Sequence, residues 1–280
     1  MTTITAIIIF VLGTSIGSFL SVLLYRIEKN RKSKKKHSII FGRSFCPECK
    51  KKIKWHHLIP VFSWVFLRGK CAYCGKRISV HYFALELLTG LLFLAAFLQW
   101  NFVQAIPSTV DPNFLNYSID WKIFEILIFY LIQFSLLMGI FFYDLIHQQI
   151  PDRFSLPAIA IAIAGGLVLG FPAALSMLIG GLALFAFFAI QFFLSRGAWI
   201  GGGDLRLGAL MGILLGWEKG ILALVLAYIF GAIISVVLLA QKKASRKTQI
   251  PFGPFLILGT IIAIFYGSTI INWYLSGFTI

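Results

Sequence analysis

Charged residues are scarce in this chain: Asp, Glu, Lys and Arg make up 12% of its 280 positions, about half the share typical of soluble domains. Acidic residues are the scarcest, with 10 Asp and Glu against 25 Lys and Arg. Together with a hydrophobic content of 59% and a mean hydropathy of +0.89, this excludes a single soluble core. A basic segment ahead of the first apolar run is also lacking. The charges follow the run over residues 4–25, so it reads as a retained helix and not as a signal peptide. No internal repeat is present, and there are only four cysteines.

The chain has instead several apolar runs close to the roughly 20 residues that cross a hydrocarbon core about 30 Å thick. Such runs must be helical, because lipid offers backbone N–H and C=O groups no partner. Eight spans are expected, at 4–25, 82–100, 123–143, 154–170, 173–194, 205–216, 220–240 and 255–276. The fold class is therefore an all-α polytopic membrane protein. A small basic four-cysteine domain over 27–81 separates the first helix (1–26) from a seven-helix core over 82–280.

The positive charge sets the orientation. Of the 25 Lys and Arg, 16 lie between Arg26 and Arg77 and 9 are scattered elsewhere. Basic clusters also occur on nucleic-acid-binding surfaces, but in a short loop between two spans they mark the cytoplasmic side. Segments 144–153, 195–204 and 241–253 then also face the cytoplasm, and both termini lie outside. Lys242, Lys243, Arg246 and Lys247 fit this, as do Asp111 and Asp120 against Lys122 in the outer loop 101–122. Trp100, Trp121, Trp217 and Trp273 fall at expected outer ends, where indoles favour the interface. The basic run from Lys29 to Lys36 reads as a solvated linker, and its loop is expected to meet anionic lipid headgroups. No nucleic-acid partner is expected.

One expected span is too short. Asp204 to Trp217 covers about 20 Å of helix, about 10 Å less than the hydrocarbon thickness. Asp204 would then be recessed, with Gly201-Gly202-Gly203 as irregular backbone lining a cavity. Asp144, at the cytoplasmic end of the third span, could reach the same cavity. Two close carboxylates in a poorly solvated site do not both ionise. One takes a proton from water while the other, protonated, supports the developing oxyanion, which is the chemistry of peptide hydrolysis. Each aspartate alone also reads as a solvated helix-end residue, and Asp204 suits a helix N-terminus whatever its function.

The neighbouring residues divide similarly. The glycines permit close approach of an extended peptide or form a plain turn, and Gly201, Gly203 and Arg206 are the candidate substrate contacts. Asp152 reads as the cap of the fourth span, His147 as an interfacial loop residue, and Glu86 as a packing or substrate contact about one turn inside the second span.

The cysteines form two pairs, Cys46-Pro47-Glu48-Cys49 and Cys71-Ala72-Tyr73-Cys74, with 21 residues between them. This spacing suits a four-thiolate structural zinc site with no open coordination position. Nearby lysines favour the thiolates, and a cytoplasmic setting disfavours disulfides. A redox pair or unligated thiols are the other readings.

Further residues complete a pattern that resembles bacterial type IV prepilin peptidases over almost the whole length. They are Gly17-Ser18-Phe19-Leu20 with Arg26, Leu58-Ile59-Pro60 and Arg68-Gly69 between the cysteine pairs, and Glu86-Leu87-Leu88-Thr89. After Asp144 come Ile150-Pro151-Asp152, Gly201-Gly202-Gly203-Asp204-Leu205-Arg206-Leu207 and Pro251-Phe252-Gly253-Pro254-Phe255. The resemblance implies an intramembrane aspartic protease whose catalytic pair is Asp144 and Asp204. Its partners would be type IV prepilins and type II secretion pseudopilins, whose short basic leader is cut just after a glycine at the cytoplasmic face of the bacterial inner membrane. It further implies methylation of the new amino terminus with S-adenosylmethionine. Arg206 stands where that family usually has Lys, and Ser21 where Asn is usual.

Other classes remain distinguishable. A transporter using the aspartates as proton or cation ligands would give flux without processing. A membrane-tethered zinc module would depend on Cys46 and not on the aspartates. Presenilin-like proteases share Tyr143-Asp144 and the glycine-aspartate string but lack the four-cysteine loop, and that loop also disfavours an archaeal preflagellin peptidase.

Overall fold

The computed structural model describes residues 2–32, 38, 42–107, 115–242 and 250–277. Part of the basic linker, Asp111, Lys243, Arg246 and Lys247 lie outside the described residues. The chain forms two compact units, Met1–Gly139 and Ile140–Ile280.

In the first unit, α1 (Thr2–Lys32) packs against α3 (Val80–Gln99). The seam is made by glycine. A Cβ on Gly13 would sit 2.8 Å from the Phe93 side chain, and one on Gly17 would sit 2.7 Å from the Glu86 Cα. Gly13 and Gly17, four residues apart, therefore bring the two backbones into direct contact, as small residues do between membrane helices. The helix α1 runs past the expected end at residue 25, because Glu28 pairs with Arg31 and Lys32 one turn on and supports another turn. Between α1 and α3 lie the cysteine loop, a 3-10 turn (Trp55–Leu58) and a short helix α2 (Phe62–Phe66). An antiparallel strand pair, β1 (Val103–Pro107) and β2 (Leu115–Ile119), precedes α4 (Trp121–His147). No expectation covered that hairpin.

The second unit begins within α4 and contains α5 (Asp152–Leu169), α6 (Ala174–Leu194), α7 (Gly202–Ala240) and α8 (Gly253–Ser276). Seven helices among the described residues are long and apolar enough to cross a membrane. The eighth expected span is also there, within α7. Gly216 breaks this helix with φ 74° and ψ −179°, and the chain folds back on itself. A Cβ on Gly220 would lie 3.5 Å from the Gly212 Cα, whereas eight residues of straight helix would separate the two by about 12 Å. The limbs 202–215 and 217–240 are thus a helical hairpin, and the first limb is the short span expected from the sequence.

Glycine also closes this hairpin onto its neighbours. A Cβ on Gly212 would meet the Gly180 carbonyl oxygen at 2.0 Å, and one on Gly259 would meet the Ala223 carbonyl oxygen at 2.3 Å. No side-chain movement relieves a clash with backbone. Gly212→Ala is therefore expected to cost about 1–3 kcal/mol, read as a lower melting temperature of the purified protein in detergent.

Candidate active site and metal centre

Asp144 lies on the last turn of α4, one turn before the helix ends at His147, so its carboxylate stays within the helix and is buried. Its partner is the N-terminus of α8. The backbone N–H of Gly253 donates to Asp144 Oδ2 at 3.1 Å, one of the donors that a helix start leaves open. A Cβ on Gly253 would come within 2.5 Å of the same oxygen, so only glycine lets the carboxylate reach this backbone. The sequence held a signal for this contact in Pro251-Phe252-Gly253-Pro254, which carried no role until the fold joined residues 109 positions apart.

Asp204 sits on the first turn of α7 and is half-buried. Its Oδ2 accepts from the Gly201 N–H at 3.0 Å, while its own N–H donates to the Gly201 carbonyl. The fold thereby brings Asp204 close enough to Asp144 for their charges to interact. Tyr228, on the returning limb of α7, also lies within electrostatic reach of Asp204. Its hydroxyl donates to Gln191 Oε1 at 3.4 Å, and its ring lies 5.0 Å from that of Phe252. Neither Tyr228 nor Gln191 stood out in the sequence.

The three glycines before Asp204 are not equivalent. A Cβ on Gly203 would lie 2.7 Å from that of Ile150, one on Gly201 would lie 3.5 Å from Asp204 Oδ2, and one on Gly202 would meet nothing within 4 Å. Gly203 is the position where α7 closes on the α4–α5 turn. The same turn supplies Asp152, whose carboxylate pairs with the Arg206 guanidinium. This corrects the expectation that Asp152 caps α5. Pro151 is the N-cap, with no side-chain cap bond, and Asp152 is the first helical residue, where its charge favours the helix start while the side chain holds α7. Arg206, the candidate substrate contact, is engaged by this pair, and its Nε is buried without a hydrogen-bond partner. His147 packs its ring 4.7 Å from that of Tyr143, one turn earlier on α4. Glu86 belongs to the first unit and accepts from the backbone N–H of Val61 at 2.7 Å.

The four cysteines, also in the first unit, converge. Their sulfurs all lie within 4.8 Å of one another, and Cys46 Sγ and Cys74 Sγ are 4.0 Å apart. Tetrahedral thiolate ligation at about 2.3 Å requires sulfurs about 3.8 Å apart, so the set fits a metal ion after a small contraction. Two matching knuckles present the sulfurs. In one, Lys50 N–H donates to the Cys46 carbonyl and Cys46 N–H to the Lys51 carbonyl. In the other, Gly75 donates to Cys71 and Cys71 to Lys76. The residue after each second cysteine, Lys50 or Gly75, has positive φ, 57° and 68°.

Without a cation the sulfurs do not ionise alike, since neighbouring thiols favour the Cys71 thiolate and disfavour that of Cys74. The Tyr73 backbone N–H leads in lowering the Cys71 thiol to about 7. For Cys74 the Lys76 N–H acts in the same direction, but desolvation and the three neighbouring thiols outweigh it and raise the group to about 11. A bound cation stabilises all four thiolates together.

Seven apolar helices, two carboxylates bonded at helix ends and four converging cysteines that could hold a metal ion define the class: a polytopic, helical membrane protein with a four-cysteine loop. Comparison with known proteins then places it. Residues 11–100 match the bacterial peptidase A24 N-terminal domain, and residues 131–236 match the type IV leader peptidase family. Proteins named prepilin leader peptidase/N-methyltransferase align over nearly full length. That of Legionella pneumophila is 32% identical over 96% of this chain and 94% of its own. That of Bacillus subtilis (strain 168) is 30% identical over 96% and 97%, and that of Aeromonas hydrophila 28% over 97% and 94%. The chain belongs to the type IV leader peptidase family. No solved structure matches it significantly.

The unequal glycines give a direct expectation for peptidase activity. Gly202→Ala, with open space around it, retains activity, whereas Gly203→Ala, which forces α7 away from Ile150, lowers it by roughly 10²-fold through misplacement of Asp204. Cleavage rates of the two variants, compared at equal folded protein, check this.

Proposed function

We propose that this protein is an intramembrane aspartic endopeptidase that removes the basic leader of type IV prepilins and pseudopilins, and that Asp144 and Asp204 are its catalytic pair. The observation that carries the reading is a pair of carboxylates at helix ends, each steadied by one backbone N–H, with the charge of Asp204 acting on Asp144. One carboxylate, ionised, takes a proton from water as the water oxygen bonds to the scissile carbonyl carbon. The other, protonated, donates to the carbonyl oxygen. Collapse of the tetrahedral species breaks the C–N bond, and the proton first taken from water passes to the leaving amine. Gly201, Gly203 and Arg206 lie around Asp204 and are the proposed substrate contacts: Gly201 is exposed, Gly203 lets α7 close on Ile150, and Arg206 fixes the adjoining turn through Asp152.

The second activity in the relatives' names extends the proposal to methylation of the new amino terminus, with S-adenosylmethionine supplying the methyl group. The ion at Cys46, Cys49, Cys71 and Cys74 is zinc in a structural role, since four sulfurs leave no position open for substrate. Residues 27–81 then act as a metal-folded loop between the first helix (1–26) and the peptidase core (82–280). Charge distribution supports placing this loop and the aspartate pair at the cytoplasmic face of the bacterial inner membrane, with the basic loop against anionic lipid. A transporter reading lacks support, because neither the family nor its relatives' names point to flux.

Asp144→Asn and Asp204→Asn are each expected to abolish leader cleavage while the protein still inserts. Mass spectrometry of a prepilin incubated with reconstituted enzyme reads this, and cleavage retained by both variants would exclude the assignment. Chelation of the metal, or Cys46→Ser, is expected to reduce methylation more than cleavage, which the same spectra resolve as separate mass changes.

A further inference from the structure

Residues 55–67 lie between the two cysteine knuckles and contain no Asp, Glu, Lys or Arg, yet Lys50, Lys51, Lys52 and Lys54 precede them and Arg68 and Lys70 follow. An apolar stretch of this length is too short to span a bilayer and suits an interfacial or re-entrant element. Several of its large side chains are left out of internal packing: Phe66 is 82% exposed and Phe62 58%. A soluble loop of this composition would turn these groups inward.

Its position against α3 explains the exposure. Val61 donates its N–H to Glu86, six residues into α3 and so about 9 Å along the helix axis. The indole of Trp64 packs 4.8 Å from the ring of Phe83, on the first turn of the same helix. As α3 has only 20 residues, its length is about 30 Å, all of which is needed to cross the hydrocarbon layer. A segment bonded to its second turn therefore lies at or below the bilayer surface.

The backbone accounting agrees. Polypeptide at membrane depth must satisfy its own N–H groups. Phe62 donates to Pro60, Ser63 to Ile59, Val65 to Val61 and Leu67 to Ser63, and Pro60 has no N–H to place. The Phe62–Pro60 bond closes a γ-turn on Val61 at φ 64° and ψ −56°, a strained conformation for a β-branched residue. That turn leaves the Val61 N–H pointing outward, and the Glu86 carboxylate accepts it. An acidic residue within a membrane helix thus has a specific task.

We propose that residues 58–66 form an interfacial anchor, inserted at the headgroup–acyl boundary beside α3 and pinned by Glu86, with the flanking lysines and arginine at the headgroups. Its exposed phenylalanines continue the lipid-facing surface of α3, where Val80, Leu88 and Leu91 are also exposed. The anchor holds the metal centre at a fixed height above the membrane.

Photocrosslinking in the full-length protein tests this. p-Benzoylphenylalanine replaces Phe62, Phe66 or, as control, the exposed Lys76, and the protein is reconstituted in vesicles of phosphatidylethanolamine and phosphatidylglycerol. Lipid adducts, read by mass spectrometry, are expected at positions 62 and 66 and not at 76. Adducts to protein only, no adduct, or equal lipid yield at position 76 would overturn the proposal. In the position-66 protein, Glu86→Ala is expected to lose the lipid adduct while retaining bound metal, and Glu86→Gln, which keeps an acceptor oxygen, to preserve it. An adduct unchanged in Glu86→Ala, or lost equally in Glu86→Gln, would overturn the role of Glu86.

Discussion

A carboxylate among apolar helices needs a hydrogen-bond donor, and at three of them this protein supplies one from the backbone. Gly253 donates to Asp144, Gly201 to Asp204 and Val61 to Glu86. A buried carboxylate without such a partner would carry a desolvation cost of several kcal/mol. The donors come from places where the chain leaves N–H groups unpaired: a helix start for α8, the residue before the helix start for α7, and the outer side of a tight turn for Val61. Carboxylate position and helix termination are therefore a single arrangement in this fold. A shift at either end of a bond disturbs both.

Glycine makes that arrangement possible at close range. At Gly17, Gly212 and Gly259 a side chain would strike backbone, and at Gly253 it would strike the carboxylate itself. Van der Waals packing takes the place of the hydrophobic effect between helices in lipid, so close backbone approach is the main source of cohesion. The break at Gly216 serves the same end: it reverses α7 without a loop, leaving a short first limb whose start carries Asp204.

Much of this was legible in the sequence, because its physical causes are local. Apolar run length fixes helices, so the spans were readable. The shortness of the sixth span pointed to a recessed Asp204, and cysteine spacing pointed to a shared metal. What was not legible depends on chain segments that meet only after folding. Gly253 finds Asp144 across 109 positions, Arg206 finds Asp152 across 54 and Val61 finds Glu86 across 25. Asp152 was misread for this reason: locally it resembles a helix cap, and only the approach of α7 offers its carboxylate a cation. Similarly, residues 55–67 carry no separate reading within the four-cysteine domain over 27–81, and only their placement beside α3 gives the exposed aromatics a setting.

The central claim is that the two aspartates work as a unit, one ionised and one protonated. The pH dependence of kcat/KM for leader cleavage, measured with reconstituted enzyme and a prepilin, tests this most directly. A pair acting as base and acid predicts a bell-shaped profile with two limbs belonging to the pair, and Asp144→Asn or Asp204→Asn removes the activity across the whole range. A profile with a single limb, or one whose shape persists in either variant, would contradict the account.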